Sequence, residues 1–178
     1  FDYDNLVIAT GTEPRLMPID NSDMEGVHYL RSISDVEKIK SSLKDSKNMV
    51  IIGGGYIGLE VAAVSKTLGL NVTVIEMASR ILERVTSPTI SSFYNSFHES
   101  KGVKILTSTS VKGINGDKRV SSVETSSGTI DADIVIVGIG VLPCQSLAED
   151  SGIAVDNGII VDEFCKTSDD NIFSAGDC

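Results

Sequence analysis

The sequence has 178 residues, of which 41% are apolar and 22% are charged, and this composition favours one globular domain with flanking segments. Its net charge of −10, without a cluster of Lys and Arg, argues against partners that are nucleic acids or anionic membranes. No apolar run approaches the roughly 20 residues that span a bilayer, so a cytoplasmic location is expected.

The first elements are predicted from apolar runs and turn signals. Residues 6–10 form a short apolar run that ends at Gly11, as expected for a buried strand that meets a turn. Residues 34–37 have the spacing of a capping box, which predicts the start of a helix. One apolar face of this helix is marked by Val36, Ile39 and Leu43.

A strand–helix–strand unit is predicted next. The apolar run 49–52 leads into a glycine-rich loop at 53–58, and a helical pattern continues until Gly69. Residues 71–76 then supply the second strand. The predicted apolar face of the helix consists of Ile57, Val61, Val64 and Leu68.

The second half of the chain alternates between helical and β patterns. Ser87 and Pro88 predict a helix start, and the apolar stripe of that helix is Ile90, Phe93, Tyr94 and Phe97. Short β segments with turns between 111 and 130 predict an antiparallel excursion. The other predicted elements are strands at 103–106, 134–137, 159–161 and 172–174 and a short helix at 145–151. The fold class is therefore α/β, with a Rossmann-like parallel sheet and an antiparallel β excursion.

The loop Gly53-Gly54-Gly55-Tyr56-Ile57-Gly58 has the GxGxxG pattern of dinucleotide-binding proteins. In that pattern Gly53 permits the tight turn, Gly55 leaves room for a pyrophosphate, and Gly58 lets the helix pack closely on the sheet. The helix N-terminus offers free N–H groups and a positive dipole end to phosphates. A strand before the loop and a helix after it make a purely structural turn the weaker interpretation.

Glu76 lies eighteen residues beyond Gly58, at the end of the second strand, where a carboxylate can accept hydrogen bonds from the adenosine ribose. The same charge would repel a 2′-phosphate, which favours NAD(H) over NADP(H). Arg80 and Arg84 follow on a loop, and either could stack on adenine or reach the pyrophosphate. A solvated surface position for both arginines and an NADP(H) preference through them stay open as alternatives.

Several spaced motifs together resemble the FAD-dependent pyridine-nucleotide oxidoreductases, and in particular the putidaredoxin, rubredoxin and ferredoxin reductases of oxygenase systems. These motifs run through almost the whole chain, in the family's order. They are 6–11 with Pro14 and Arg15, the glycine loop with Leu59 and Glu60, 80–85, 138–143, 167–169 and 172–178. The sequence departs from the family's pattern at Cys144, where Asn is frequent, and at Asp170, where Pro is frequent.

The resemblance implies that an NAD(H)-binding domain at 35–152 is inserted between two parts of an FAD-binding domain, at 1–34 and 153–178. It also implies roles for individual residues. Near the FAD it places Thr10, Gly11, Arg15 and Asp177. Near the nicotinamide it places Tyr56 and Glu60, and a second loop beside the NAD is Gly138-Ile139-Gly140.

The activity implied by the resemblance is hydride transfer from NADH to FAD, followed by electron transfer to a small iron–sulfur protein. An NADH oxidase or a disulfide reductase of the same superfamily is the first alternative, and a stand-alone nucleotide-binding regulatory module is the second. The three cysteines are too widely spaced for a CxxC pair or a zinc site, so no metal is expected. The ends of the sequence are those of an internal fragment, and the chain alone is expected to be inactive.

Overall fold

A computed structural model describes residues 2–178 and divides them into two compact units. One unit comprises residues 2–15 and 141–178, and the other comprises residues 16–140. In the described part of the chain, no helix has both the length and the apolar character needed to cross a membrane.

The larger unit, residues 16–140, is built on a five-stranded parallel sheet. In chain order its elements are β3 (Val27–Tyr29), α1 (Ile33–Leu43), β4 (Asn48–Ile52), α2 (Tyr56–Thr67), β5 (Asn71–Ile75), α3 (Pro88–Ser100), β6 (Lys104–Leu106), β7 (Val111–Gly116), β8 (Val120–Thr125), β9 (Gly128–Asp131) and β10 (Ile134–Val137). The order of strands across the parallel sheet is β3-β10-β4-β5-β6. Strands β7, β8 and β9 form a separate antiparallel sheet, which confirms the predicted α/β class and the β excursion.

The smaller unit contains β1 (Leu6–Ile8), β2 (Thr12–Pro14), β11 (Val141–Pro143), α4 (Ser146–Asp150) and β12 (Ile172–Ser174). Strand β1 pairs in parallel with β12, and β2 pairs antiparallel with β11. The predicted strand at 159–161 is wrong, because Ile159 makes only an isolated bridge to Val155. The small core of this unit consists of Leu6, Ile8, Ala148, Ile153, Val155, Ile159, Ile172 and Cys178.

The division between the units differs from the expected domain boundaries at 34 and 152. Strand β3 pairs with β10, so residues 27–29 belong to the same sheet as the strand that precedes the glycine loop. Residues 141–143 pair instead with Thr12–Pro14 in the smaller unit. The boundaries between the two units in the sequence therefore fall after residues 15 and 140. Which cofactor each unit binds stays a prediction.

The capping box of α1 begins two residues earlier than the sequence suggested. The Asp35 carboxylate accepts a hydrogen bond of 2.9 Å from the Ser32 backbone N–H, and the Ser32 hydroxyl accepts one from the Asp35 N–H. The predicted box at 34–37 is wrong because an Asp, rather than a Glu, closes it. Ile39 is buried as expected, whereas Val36 is exposed.

The second and third helices bury other faces than their apolar stripes. Helix α2 turns Gly58, Leu59, Ala62 and Ser65 inwards, while Ile57, Val64 and Leu68 are exposed. Helix α3 starts at Ser87 and Pro88 as predicted, but it buries Ser91 and His98 and exposes Ile90, Phe93, Tyr94 and Phe97. In α2 the small residues Gly58, Ala62 and Ser65 face inwards and let the helix approach the sheet closely.

Acidification is expected to destabilise the fold in the range where histidine titrates. Burial lowers the pKa of His98, and burial together with the charge of Arg119 lowers the pKa of His28 from its ordinary 6.5. The fold thus favours the neutral rings, so this contribution is complete above about pH 6.5 and is lost as the pH falls below it. The urea midpoint should therefore be lower at pH 5.5 than at pH 7.5.

The carboxylates with shifted pKa values do not contribute to the change in stability between pH 5.5 and pH 7.5. The pKa values of Asp35 and Asp133 lie below 3.8 because backbone or side-chain hydrogen bonds hold the charged forms. The control is His28→Gln, whose amide still reaches the Ser42 hydroxyl that His28 contacts at 2.9 Å. The pH dependence should shrink in this variant, and equal midpoints for the wild type at both pH values would contradict the prediction.

Candidate functional site

The predicted dinucleotide site lies at the carboxyl edge of the parallel sheet. Strands β5 and β6 lie on one side of β4, and β10 and β3 lie on the other, so the strand order reverses between β4 and β10. In open α/β sheets, ligands bind in the crevice at such a switch point. The glycine loop follows β4 and the Gly138–Gly140 loop follows β10, so the structure brings both predicted loops to this crevice.

The first and last glycines of the loop are required by the fold itself. Gly53 has a φ of +111°, and a Cβ at this position would overlap the carbonyl oxygen of Gly138. A Cβ at Gly58 would overlap the carbonyl oxygen of Gly53. The roles expected for these residues, the tight turn and the close approach of the helix, therefore correspond to contacts in the structure.

Gly55 differs from its neighbours because nothing in the protein requires a glycine there. Its φ of −81° and ψ of −178° are extended values that any residue adopts, and a Cβ at this position would meet no atom within 4 Å. Gly55 is also the N-cap of α2, yet it supplies no capping side chain, and the first turn of α2 has no acidic residue. An open, anion-attracting helix N-terminus is what a phosphate needs.

The Glu76 carboxylate is hydrogen-bonded to the glycine loop. Its Oε2 accepts a hydrogen bond of 2.7 Å from the Gly54 N–H, and its Oε1 accepts one of 2.8 Å from the Ala78 N–H. A Cβ at Gly54 would lie 2.8 Å from Ile81 and 3.2 Å from the Glu76 Cβ, so this glycine is needed for close packing. The carboxylate thus fixes the loop as well as standing where a ribose ligand is predicted.

The structure distinguishes the two arginines that the sequence left undecided. Arg80 is partly buried, and its Nη1 and Nη2 donate hydrogen bonds to the carbonyl oxygens of Thr86 (3.0 Å) and Glu83 (2.8 Å). Arg84 is exposed, and its Nη2 would lie 3.8 Å from a Cβ added at Gly140. Only Arg84 is therefore placed beside the second loop of the crevice.

Two other predicted residues lie on the first turns of α2. Tyr56 is 51% exposed, and Glu60 is exposed one turn later. In the second loop, Ile139 is partly buried against the core, and Gly140 has a φ of +110°. The exposed side chains of α2 are available to a ligand, whereas Ile139 serves to anchor its loop.

The residues predicted for FAD lie in the smaller unit. The Thr10 hydroxyl donates to the Cys144 carbonyl oxygen (2.6 Å), and the Gly11 carbonyl oxygen accepts from the Cys144 N–H (2.8 Å). Arg15 and Asp177 are exposed. Cys144 thus closes the turn after β1 through its backbone, and its departure from the family's Asn leaves this contact intact.

A groove of about 330 Å³ beside α3 is not among the features predicted from the sequence. Apart from Pro88, the residues that line it are polar or charged: Ser79, Arg80, Ser91, Ser92, Asn95, Ser96 and Thr107. The Ser91 hydroxyl donates to the Ile81 carbonyl oxygen and so joins α3 to the segment that follows β5. Isolated serines at helical spacing form no motif, so the sequence contained no signal for this groove.

The chain is similar in sequence to a known protein family and to several characterised reductases. The family described as pyridine nucleotide-disulphide oxidoreductase matches residues 1–178. The chain is 46% identical to rhodocoxin reductase of Rhodococcus erythropolis and 44% identical to putidaredoxin reductase CamA of Pseudomonas putida. Each alignment covers 99% of this chain, but only 42% and 44% of the respective relative.

The fold is also similar to that of a reductase whose structure has been solved. The crystal structure of a ferredoxin reductase from Rhodopseudomonas palustris superposes with a TM-score of 0.96 at 38% identity, covering 99% of this chain and 44% of that one. The chain thus spans less than half the length of the proteins it matches. Since the family match extends over residues 1–178 and includes both loops of the crevice, the chain belongs to the pyridine nucleotide-disulphide oxidoreductase family.

Proposed function

We propose that this chain is the NAD(H)-binding portion of a flavoprotein reductase that passes electrons from NADH to a ferredoxin- or rubredoxin-type acceptor. The observation that carries the proposal is the open space at Gly55, at the uncapped N-terminus of α2. A glycine that neither its backbone angles nor its neighbours require is explained by a ligand that lies against it. The relatives named as rhodocoxin and putidaredoxin reductases support the choice of acceptor class.

The residues of the larger unit fit a dinucleotide. The glycine loop and the first turn of α2 hold its phosphates, and Glu76 binds the adenosine ribose while it fixes the loop. Tyr56, Glu60 and the Gly138–Gly140 loop border the nicotinamide. The carboxylate of Glu76 also disfavours a 2′-phosphate, so NADH is preferred over NADPH.

The smaller unit fits part of an FAD site. Thr10 and Gly11 form a turn fixed by Cys144, while Arg15 and Asp177 are exposed and available to a ligand. When bound, FAD accepts a hydride from NADH and releases electrons one at a time. This chain contributes binding and orientation of the two cofactors.

The charge of each unit restricts where an acidic iron–sulfur protein can dock. Residues 2–15 and 141–178 carry eleven acidic and two basic side chains, whereas residues 16–140 carry fourteen acidic and thirteen basic ones. An acidic partner is repelled by the first set. Docking therefore uses basic residues of the larger unit or of parts of the protein outside these 178 residues.

A cytoplasmic location stays a prediction.

The test is a fluorescence titration of the 178-residue chain with NADH and with NADPH. The chain should purify without colour and bind NADH in the high micromolar to millimolar range, about −4 to −6 kcal/mol. The chain should not retain FAD through purification, because Thr10, Gly11, Arg15 and Asp177 are its only residues that are predicted to contact FAD. A yellow preparation with stoichiometric FAD, or tighter binding of NADPH than of NADH, would overturn this assignment of the site.

A further inference from the structure

The segment 107–110, which follows β6, is hydrogen-bonded to the backbone of Glu76. The Thr109 N–H donates a hydrogen bond of 3.0 Å to the Glu76 carbonyl oxygen. The Glu76 N–H donates one of 2.8 Å to the carbonyl oxygen of Leu106, the last residue of β6. The end of β6 and the segment after it therefore hold Glu76 through both of its backbone groups.

The residue before Thr109 makes a second contact with the same stretch of chain. The Ser108 N–H donates a hydrogen bond of 2.8 Å to the Ala78 carbonyl oxygen, and Ser108 adopts a φ of +49°, which is unusual for a residue other than glycine. The Ala78 N–H donates to the Glu76 carboxylate (2.8 Å). Two successive N–H groups of the segment thus fix the backbone on both sides of Met77.

The side chain of Thr109 connects this segment to the antiparallel excursion. Thr109 is only 4% exposed, and its hydroxyl donates to the Thr107 carbonyl oxygen (2.9 Å). The Ser127 hydroxyl oxygen, in the turn between β8 and β9, lies 3.3 Å from the Thr109 hydroxyl oxygen. Because the single proton of Thr109 is directed at Thr107, Ser127 is the donor in this contact.

The turn between β8 and β9 is itself fixed by hydrogen bonds. The Ser127 N–H donates to the hydroxyl of the buried Thr125 (3.0 Å), which donates to the Gly128 carbonyl oxygen (2.7 Å). The Ser126 N–H donates to the Ser110 carbonyl oxygen (2.9 Å), and the Ser126 hydroxyl accepts from the Ser110 N–H (3.1 Å). The turn is therefore a firm support for the segment 107–110.

We infer that Thr109 is a positioning residue for coenzyme selection, which holds Glu76 in place by joining its backbone to the turn between β8 and β9. This inference rests on the proposed NAD(H) site and assigns the antiparallel excursion a task in it. Site residues keep a productive geometry when their neighbours lock them by packing and hydrogen bonds. The Gly54 and Ala78 N–H groups hold the carboxylate of Glu76, and Thr109 holds its backbone.

Thr109→Val tests this role, because valine has nearly the shape of threonine but lacks the hydroxyl. In NMR titrations of the 178-residue chain, NADH binding should weaken about 2- to 10-fold, which is the range of one hydrogen bond. NADPH binding should fall less, because a displaced carboxylate also repels the 2′-phosphate less. Thr109→Ser, which keeps the hydroxyl, should restore the preference for NADH.

A double variant separates positioning of Glu76 from a general loss of stability. In the background of Glu76→Ala, Thr109→Val should leave the ratio of NADH to NADPH affinity unchanged, because the carboxylate through which Thr109 acts is absent. In Thr109→Val alone, the Gly54 and Ala78 amides should be less protected from hydrogen exchange, since both donate to the Glu76 carboxylate.

Thr129→Val is the matched control, because it removes a hydroxyl from an exposed residue of β9 and should change neither the affinity ratio nor the protection. Ser127→Ala, in the exposed turn, should shift the ratio in the same direction as Thr109→Val, and it decides alone if Thr109→Val does not fold. An unchanged ratio in these two variants, or an equal change with and without Glu76, would overturn the inference while the NAD(H) site stands. If the wild-type chain binds neither NADH nor NADPH, the proposed function itself is wrong.

Discussion

Replacement of Gly55 by Val should weaken NADH binding by at least about 100-fold, or about 2.8 kcal/mol, and leave the fold intact. The valine side chain would fill the open space at the N-terminus of α2, where the phosphates are predicted to lie. The fold should tolerate it because the extended backbone of Gly55 suits any residue and a Cβ there meets no protein atom within 4 Å. The only expected penalty is a poorer N-cap, which costs about 1 kcal/mol.

The matched comparison is Gly58→Ala, three residues further along the same loop. The new Cβ would overlap the Gly53 carbonyl oxygen and lie 3.3 Å from Ile51, so this variant should lose about 1–3 kcal/mol of folding stability. Urea unfolding and NADH titration on both variants separate a ligand effect from a folding effect. If Gly55→Val keeps its NADH affinity, no phosphate lies against Gly55.

The identity of the N-cap supports the same conclusion from another direction. Ser, Thr, Asp and Asn are the preferred N-caps, and a side chain of this kind would satisfy an N–H group of the first turn. Ser32 and Ser87 do so for α1 and α3. Helix α2 alone of these three begins with a glycine and leaves its first N–H groups to another acceptor. We propose a ligand phosphate as this acceptor.

Much of the larger unit could be predicted because its signals are local. The strand–loop–helix around Gly53 to Gly58 depends on residues within about twenty positions of one another, and the apolar run 134–137 coincides with β10. The antiparallel excursion was predictable from its turns. In each case the pattern that specifies the element lies within the element or directly beside it.

The buried faces of α2 and α3 could not be predicted from the same patterns. An apolar stripe indicates which face a helix buries when large side chains provide the contact. Helix α2 instead approaches the sheet through Gly58 and Ala62, and α3 is hydrogen-bonded through the Ser91 hydroxyl to the segment that follows β5. Close approach of the backbone favours the buried face of α2, and a side-chain hydrogen bond favours that of α3. Neither contact can be read from the sequence without the neighbouring element.

The division between the units could not be predicted either, because it depends on long-range contacts. Residues 27–29 join the parallel sheet only because β10, more than 100 residues later, pairs with them. Arg80 and Arg84 look equivalent in the sequence, and only the carbonyl oxygens of Glu83 and Thr86 distinguish them. The positions of the site residues in the glycine loop could therefore be predicted. For the segment between β5 and α3, the sequence predicts two candidate arginines but does not distinguish them.

Replacement of Glu76 by Ala should weaken the binding of NADH by about 10- to 100-fold and should narrow its preference over NADPH. Two effects add. The variant loses a carboxylate that is predicted to bind the ribose, and the Gly54 N–H and the Ala78 N–H lose their acceptor. Hydrogen bonds to charged groups contribute about 1.5–3 kcal/mol, which corresponds to the expected range. NADPH binding should fall less, because the repulsion of its 2′-phosphate disappears at the same time.

A single substitution should therefore not convert the chain into an NADPH-binding protein, since removal of the charge also releases the glycine loop. The control is Glu83→Gln, which removes a nearby carboxylate that accepts a hydrogen bond from the Ser79 hydroxyl (2.8 Å) and does not touch the loop. This control should leave NADH affinity and the hydrogen-exchange protection of the Gly54 amide unchanged, whereas Glu76→Ala should lower both. If the Gly54 amide stays protected in Glu76→Ala while NADH affinity falls, Glu76 acts on the ribose alone. If Glu76→Ala binds NADPH more tightly than the wild type binds NADH, the loop does not depend on this carboxylate.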